Sequence, residues 1–591
     1  MCGIIGYIGR ENAPPAILDG LRHLEYRGYD SVGVAFVSPK EVIIKKDKGM
    51  VEEVHKKLNF LDPAVNLAVA HTRWATHGKI SKENAHPHTD CKSNIAIVHN
   101  GIIENYKELR ERLILSGHVF KSETDSEVIA HLIEEELKNR ENFEEACCAA
   151  FNKLEGSFAV LVVKKGENKI VAIKKGSPLV IGIADHGYFA ASDIPAFIEH
   201  TNQVVYLSDW DMAVLDSTPI FFNIKDGMLT RVEKPIHIID WNAEKTKKGG
   251  FEHFMLKEIC EQAETIERVV AQEKEVVKKI VDEIEKAYGV FFIGCGSSYH
   301  ACLVASYIFS KIAKKHVNVV LASEFPNYEH FLTKDTLVIA VSQSGETYDV
   351  LEAVRAAKRK GSKIISIVNV MGSSLTRESD SFLLMHAGPE IGVASTKTYT
   401  SEIALLTLLA YSLIGKFEEG KERVKSLRNV ISYFTSETSR NKIKELAEKL
   451  KDKEHIFCIG RGTQYATALE AALKIKEVSY IHAEALAGGE LKHGTIALIE
   501  NNTPCIVFIS EENEKEILSN AMEIKSRGGY IIGVSPKNNE IFDYWIKVPE
   551  ANTENPIVQI IPMQILAYYL AVLRGHNPDR PRNLAKSVTV K

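Results

Sequence analysis

The chain begins MCGIIG, with a cysteine directly behind the initiator methionine. Cysteine is small enough for an aminopeptidase to remove Met1, which would leave an α-amine and a thiol on one residue. An α-amine titrates at about 8, close enough to neutrality to act as a base toward its own side chain. Cys2 is therefore expected to be an N-terminal nucleophile. Such a site also needs an oxyanion hole and a grip on its substrate. HTRWATHG (71–78) follows the apolar run NLAVA and sets Arg73 at a strand end, where a guanidinium can clamp a carboxylate. VHNG (98–101) ends another strand, so the Asn100 side chain and the Gly101 amide could hold a developing oxyanion. ETDSE (123–127) starts a helix, where Asp125 could cap it or hold an ammonium. Taken singly, these residues also read as a surface ion pair, a tight turn and a helix cap.

A second constellation lies in TLVIAVSQSGET (336–347). Ser342, Ser344 and Thr347 offer hydroxyls after a strand, Gly345 lets the backbone turn, and the helix that follows points free amides at the same place. That is an anion site suited to phosphate, although a plain helix cap uses the same residues.

The elements that position these groups follow from pattern. The first 240 residues carry short β-type runs, among them GIIGYIG, SVGVAFV, NLAVAHT, NIAIVHN and SFAVLVVKK, with helical stretches around Pro15–Leu24 and Asp125–Lys138. Stacked sheets in an αββα sandwich are expected. AEKTKKGGFEH (243–253) turns polar and basic and reads as a linker. Beyond it strand and helix alternate, and the pattern repeats. VFFIGCGSSYHA and IFCIGRGTQYAT lie 166 residues apart, while TLVIAV and TPCIVF, and KIISIVNV and YIIGVSPK, lie 167 apart. The back half is thus a tandem duplication of one doubly wound α/β domain with mostly parallel strands. Where the first copy has SQSGET the second reads SEENEK, whose carboxylates would repel phosphate, so one phosphate site per pair is expected. GCGSS and GRGTQ lack the third spaced glycine of a dinucleotide fingerprint.

Bulk composition excludes some classes. Apolar residues make up 45% and charged residues 26%, and 73 Lys plus Arg against 78 Asp plus Glu give a net charge of −5, so neither nucleic acid nor membrane is an expected partner. Nine cysteines form no CxxC pair, which points to a reducing, cytoplasmic setting. No secretory signal is visible, and the apolar stretch 557–573 contains two glutamines and a proline and reads as a buried helix. His71, His77, His86, His88 and His99 with Cys91 suggest a metal cluster, but HPHTDC has the wrong spacing for a zinc knuckle and Arg73 would disfavour a cation. No metal, nucleotide or prosthetic group is expected.

MCGIIG, LEYRGYDSVGVA, HTRWATHG, NAHPH, VHNGIIEN and ETDSEVIAH together resemble class II glutamine amidotransferase domains. SQSGET, EIGVASTK, ALKIKEVSYIHAEA, GELKHG and PRNLAKSVTV resemble the duplicated sugar isomerase (SIS) domains of the glucosamine-6-phosphate synthase family, and the resemblance runs the whole chain in order. It implies an α/β and α+β multidomain fold: a glutaminase sandwich of the N-terminal-nucleophile type over 1–240, a linker at 241–253, SIS domains at 254–430 and 440–580, and a catalytic tail at 581–591. It implies that Cys2 attacks the glutamine amide, that Asn100 and Gly101 form the oxyanion hole, and that Arg73, Thr76 and Asp125 hold the substrate's charged ends, with His77 and His86 lining the site. Ammonia would pass through a channel gated by Trp74, since free ammonia near pH 7 is mostly protonated and no nucleophile. Ser342, Gln343, Ser344 and Thr347 would hold the phosphate of fructose 6-phosphate, and Ser298, Val393, Ser395 and Lys474 would line the sugar site. Lys586 would form a Schiff base, Glu477 would move the proton between C1 and C2, and His493, reaching over from a partner subunit of a homodimer, would open the ring. The run after His493 reads HGTIALI where a proline usually follows the HG in the family, and CEQAETI stands where it tends to have EQP. A phosphoribosyl amidotransferase or asparagine synthetase would share the front half but not the duplicated back half. A non-catalytic sugar-phosphate sensor would have no use for Cys2, Arg73, Asn100, Glu477, His493 and Lys586 together.

Overall fold

Alternate residues of the N-terminal strands are buried in different cores, and this sets the layering. In Gly3–Gly9, Ile5 and Tyr7 pack with the helix Ala13–Leu24, while Ile4 and Ile8 face a second sheet. In Ile95–Ile103, Ala96 and Val98 share that inter-sheet core, while Ile95 and Ile97 pack on the helices Glu127–Glu136 and Phe143–Phe151. A strand buried on both faces must be apolar at every position, which is why these runs read as continuous hydrophobic segments. At Gly6 the sheets approach closely: a Cβ there would sit 3.0 Å from side-chain atoms of Leu161 and Ile170. The computed structural model describes residues 2–75, 77–239 and 248–589. Among these, one sheet has eight strands and the other seven, in αββα layers, and the pairings are antiparallel. The helices Val51–Leu58, Tyr106–Leu115 and Phe143–Phe151 add to the two that the sequence suggested. Phe143–Phe151 reads FEEACCAAF, too short and too uniformly apolar on its inner side for periodicity to separate helix from strand.

The chain divides into two compact units, Met1–Lys247 with Ser587–Lys591, and Lys248–Lys586. Residues 241–247 of the expected linker 241–253 lie outside the described residues. The second unit holds two five-stranded parallel sheets of the same order. Gly289–Gly294 lies between Asn318–Leu321 and Thr336–Ser342 in one, and His455–Gly460 lies between His482–Ala487 and Pro504–Phe508 in the other. The pair Val338–Ile364 recurs as Cys505–Ile531, both members displaced by 167 residues, so the duplication extends to register.

The G-x-G turns have a structural purpose in both copies. Gly296 and Gly462 stand at the N-caps of the helices Ser297–Ile308 and Thr463–Ser479 with φ of 54° and 59° and ψ of −124° and −129°, a region that side chains other than hydrogen rarely enter. Buried helices from both modules, Lys397–Leu413, Thr463–Ser479 and Asn555–Leu573, meet in one core through Tyr399, Ile403, Ile475, Val478, Ile560 and Met563. By length and apolarity the stretch 552–573 could span a membrane, but 83% of its most apolar window is buried inside the fold.

Candidate active sites

Cys2 leads into the central strand Gly3–Gly9, whose neighbour Leu67–Arg73 ends where Trp74 begins. The Trp74 amide donates to Cys2 Sγ at 3.2 Å, and the thiol faces the Trp74 carbonyl at 3.4 Å. Burial pushes the Cys2 thiol up; the Trp74 N–H and the Arg73 charge pull the other way, and Asp125 adds to the rise. From the second sheet, Asn100 Nδ2 donates to the Cys2 carbonyl at 2.9 Å, while its buried Oδ1 has no hydrogen-bond partner among the described residues. The side-chain amide is thus held beside the nucleophile. Gly101 has φ +131°, and a Cβ there would lie 1.9 Å from the Ser157 carbonyl oxygen, so only glycine keeps this strand pair closed.

The plainer readings of Arg73 and Asp125 do not hold. Arg73 is 3% exposed and forms no ion pair among the described residues; its guanidinium donates to the carbonyls of His77 and Lys79 and fixes the turn after the strand. Burial lowers its pKa, with Cys2, Asp30 and Asp125 acting against that. Asp125 is buried, and its carboxylate accepts from the Ile103 amide at 2.8 Å instead of capping the helix Glu127–Glu136. A buried cation and a buried anion thus flank the thiol without neutralising each other directly, the disposition that an amino-acid zwitterion requires. His77 lies edge-on to Tyr106, and Trp74 edge-on to Tyr29. Thr76 lies outside the described residues.

His86 stacks on His71 with ring centroids 4.0 Å apart and meets His88 edge-on at 4.5 Å. Burial holds all of this group neutral: His71 is lowered to about 3, His86 and His88 fall well below the usual value, and His99 is lowered too. A histidine with a depressed folded pKa contributes stability above its unfolded pKa and loses it as pH falls toward the folded value. Acidification from pH 7 to 5 should therefore weaken this unit, each histidine costing up to about 2 kcal/mol at pH 5. Both His86 ring nitrogens are buried without a hydrogen-bond partner among the described residues, so His86→Phe should keep the stack and remove one share of that dependence. Urea midpoints at pH 5, 6 and 7 test this; equal slopes for the two proteins would refute it.

In the second unit Ser342 ends its strand, and its Oγ accepts from the Gly345 amide at 3.1 Å and lies 3.2 Å from Thr347 Oγ1. Ser344 Oγ accepts from the Glu346 amide, and the Gln343 carbonyl from Asn369. The helix Tyr348–Arg359 starts behind this loop. In the other copy the equivalent turn directs Glu511 and Glu512 to Lys537 and Lys311. The Ser342 and Thr347 hydroxyls thus meet at the strand end of the first copy, where the second copy carries paired carboxylates.

Lys586, a tail lysine by sequence, is half-buried, with its side chain only 6% exposed. Its Nζ donates to Glu390 Oε2 at 2.5 Å and to the Gly392 carbonyl at 2.8 Å. Glu390 also accepts from the Thr396 and Thr398 amides and the Thr398 hydroxyl. Burial would raise Glu390, but Lys586 outweighs it and holds the carboxylate ionised, whereas burial and the Glu390 charge push Glu258 up to about 8. Glu258 accepts from the Ile391 and Gly392 amides and so shapes the loop carrying Val393 and Ser395. The Val393 amide donates to the Asp579 carbonyl, and Ser395 Oγ lies 2.8 Å from Thr398 Oγ1.

A second buried network runs along Thr463–Ser479. Lys474 Nζ sits 2.6 Å from Glu477 and 3.3 Å from Glu470, and Glu470 accepts from Ser297 and pairs with His300. Burial works against the Lys474 charge, but the two glutamates more than offset it. Ser298 donates to Glu402, whose carboxyl burial pushes well above the usual range. The tail is tied to the end of this helix by the Arg582 amide on Tyr480 Oη at 2.7 Å. His493 is exposed, and no hydrogen bond or ion pair among the described residues joins it to either network.

The i, i+4, i+7 spacing of Glu470, Lys474 and Glu477 was the available signal for the first partner. Glu258, Glu390 and Glu402 had none.

Residues 71–199 match the family described as a glutamine amidotransferase domain, and 283–412 and 449–574 each match the SIS domain. The class these folds and sites define is an N-terminal-nucleophile amidotransferase joined to paired sugar isomerase domains. Glutamine–fructose-6-phosphate aminotransferases (isomerizing) from Thermococcus kodakarensis and Pyrococcus horikoshii are each 47% identical to this chain, and one from Methanothermobacter thermautotrophicus is 44% identical, over 100% of both chains in every case. The chain belongs to that enzyme family. The C-terminal domain of glucosamine-fructose-6-phosphate aminotransferase from Francisella tularensis is 34% identical with TM-score 0.53, covering 57% of this chain and 100% of its own.

Proposed function

We propose that this chain converts glutamine and fructose 6-phosphate to glutamate and glucosamine 6-phosphate. Cys2 attacks the glutamine carboxamide, with Asn100 and Gly101 receiving the oxyanion and Arg73, Thr76 and Asp125 holding the α-carboxylate and α-ammonium. His77 and His86 line the pocket, and Trp74 guards the exit of ammonia. Ser342, Gln343, Ser344 and Thr347 take the sugar phosphate, and Ser298, Val393, Ser395 and Lys474 surround the sugar. Lys586 forms an iminium at C2, which acidifies the C1 protons; Glu477 transfers the proton; His493 opens the ring. Its exposure favours a homodimer in which His493 serves the partner's site.

We assign the glutaminase domain to 1–240, the linker to 241–253, the SIS domains to 254–430 and 440–580, and the tail to 581–591, in a cytoplasmic enzyme without nucleic-acid or membrane partners. The observation that carries the reading is the burial of Lys586 Nζ against Glu390 and the Gly392 carbonyl. An unused tail lysine would be solvated. Glutamine labelled with 15N in the side chain, incubated with fructose 6-phosphate and the purified protein, should give labelled glucosamine 6-phosphate by mass spectrometry. Neither aminated nor isomerised sugar would return the sensor reading.

A further inference from the structure

Cys91 does not join the histidines nearest to it in sequence, which form their own stack. It sits in the turn between the strands His88–Thr89 and Ile95–Ile103, and its Sγ lies 3.6 Å from Nδ1 of His118 and 3.6 Å from Nδ1 of His131, residues 27 and 40 positions away. Glu134, one turn beyond His131 on Glu127–Glu136, completes the group. Its Oε2 is 3.0 Å from His118 Nδ1 and 3.4 Å from His131 Nδ1. One ligand atom from each of the four lies within 4.8 Å of every other. We propose that Cys91, His118, His131 and Glu134 bind one zinc ion.

Four of the six ligand–ligand spacings lie close to those of a tetrahedron around zinc. Bonds of about 2.3 Å to sulfur and about 2.0–2.1 Å to nitrogen or oxygen give edges of about 3.6 Å for S–N and about 3.3–3.4 Å for N–O. The two S–N edges match, and one N–O edge matches while the other is a few tenths of an ångström short.

The outer contacts fit the same reading. His118 Nε2 lies 2.8 Å from Glu135 Oε2, while its Nδ1 faces the Glu134 carboxylate and the Cys91 sulfur, so one ring nitrogen meets an outer carboxylate and the other meets the proposed site. Glu135 on His118 is the outer-shell carboxylate that zinc-bound histidines commonly have, and Glu127 lies near His131 Nε2 at 3.7 Å. The Cys91 amide donates to Glu134 Oε2 at 3.2 Å and orients it.

Both histidines are buried, at 5% and 1% exposure. Thiolate and carboxylate together balance the ion's charge, the Cys91 proton leaving to solvent on binding. Four protein ligands leave no open position, so the site is structural. Its placement gives it a purpose. Glu127 also accepts from the Lys121 and Ser122 amides, so the ion fastens the segment leading to Asp125.

The test uses the full-length protein purified after growth with zinc, then passed through gel filtration and analysed for metals. About one zinc per chain is expected, falling below about a tenth in a Cys91→Ser, His131→Asn double variant and persisting in Cys2→Ala, which removes the other half-buried thiol of that unit. Cobalt exchanged into the wild-type protein should show tetrahedral d–d bands and a thiolate charge-transfer band, a readout that needs no variant to fold. The proposal fails if wild type holds no zinc even after zinc is added, if zinc persists in the double variant, or if the cobalt protein lacks the thiolate band.

Discussion

Replacing Lys586 with arginine is expected to erase conversion of fructose 6-phosphate to either hexose 6-phosphate product, by at least about 10³-fold, while glutamine hydrolysis continues. Arginine keeps a cation against Glu390 and can still donate to the Gly392 carbonyl, so the buried charge remains paired. It has no primary amine and cannot form an iminium. Alanine would be the poorer probe. It would strand Glu390, 0% exposed, without its cation, and breaking a buried pair in this way costs about 3–5 kcal/mol. Loss of activity could then be loss of fold. Borohydride added to wild type with fructose 6-phosphate should leave a reduced adduct on the peptide containing Lys586, and none on the arginine variant. A Lys586→Arg enzyme that still makes product would remove Lys586 from the chemistry altogether.

Part of the candidate glutaminase site was legible because some of its residues stand at element ends that sequence displays. Cys2 and Arg73 lie at the ends of neighbouring strands and Asp125 just ahead of a helix. Asn100 and Gly101 were expected to end a strand but lie within Ile95–Ile103, because the ladder to Gly156–Lys164 continues past them to Ile103. The layering was legible too, since strands such as GIIGYIG are buried on both faces and the repeat at 166 and 167 residues carries through to strand register. The buried carboxylates of the sugar half were not. Glu258 comes from the helix Phe254–Cys260, Glu402 from the middle of Lys397–Leu413, and Glu390 from a loop. A glutamate inside a helix reads as a solvated charge unless its partner is three or four residues away. Glu470, Lys474 and Glu477 meet that condition; Glu390 and Lys586, 196 positions apart, do not. Cys91 failed for the same reason, because spacing along the chain pairs it with His86 and His88, whereas the fold pairs it with His118 and His131.

Cys2→Ala should lower glutamate release from glutamine by at least about 10³-fold, the cost of deleting a nucleophile whose other site groups remain. The change is mild for the fold. The thiol accepts one hydrogen bond from the Trp74 amide, worth about 1 kcal/mol or less, and Asn100 donates to the Cys2 carbonyl, which alanine retains. Conversion of fructose 6-phosphate to glucose 6-phosphate should survive, since Lys586, Glu390 and the Lys474 network lie in the other compact unit. The pair of variants therefore separates the half-reactions: Lys586→Arg removes the sugar step and spares hydrolysis, and Cys2→Ala does the reverse. If Cys2→Ala still hydrolysed glutamine, the nucleophile would have to be another group of that unit. Its remaining half-buried thiol is Cys91, which faces His118 and His131 rather than Arg73 and Asn100, so hydrolysis there would also overturn the zinc site. Glutamate release by the Cys2 variant thus bears on both assignments at once.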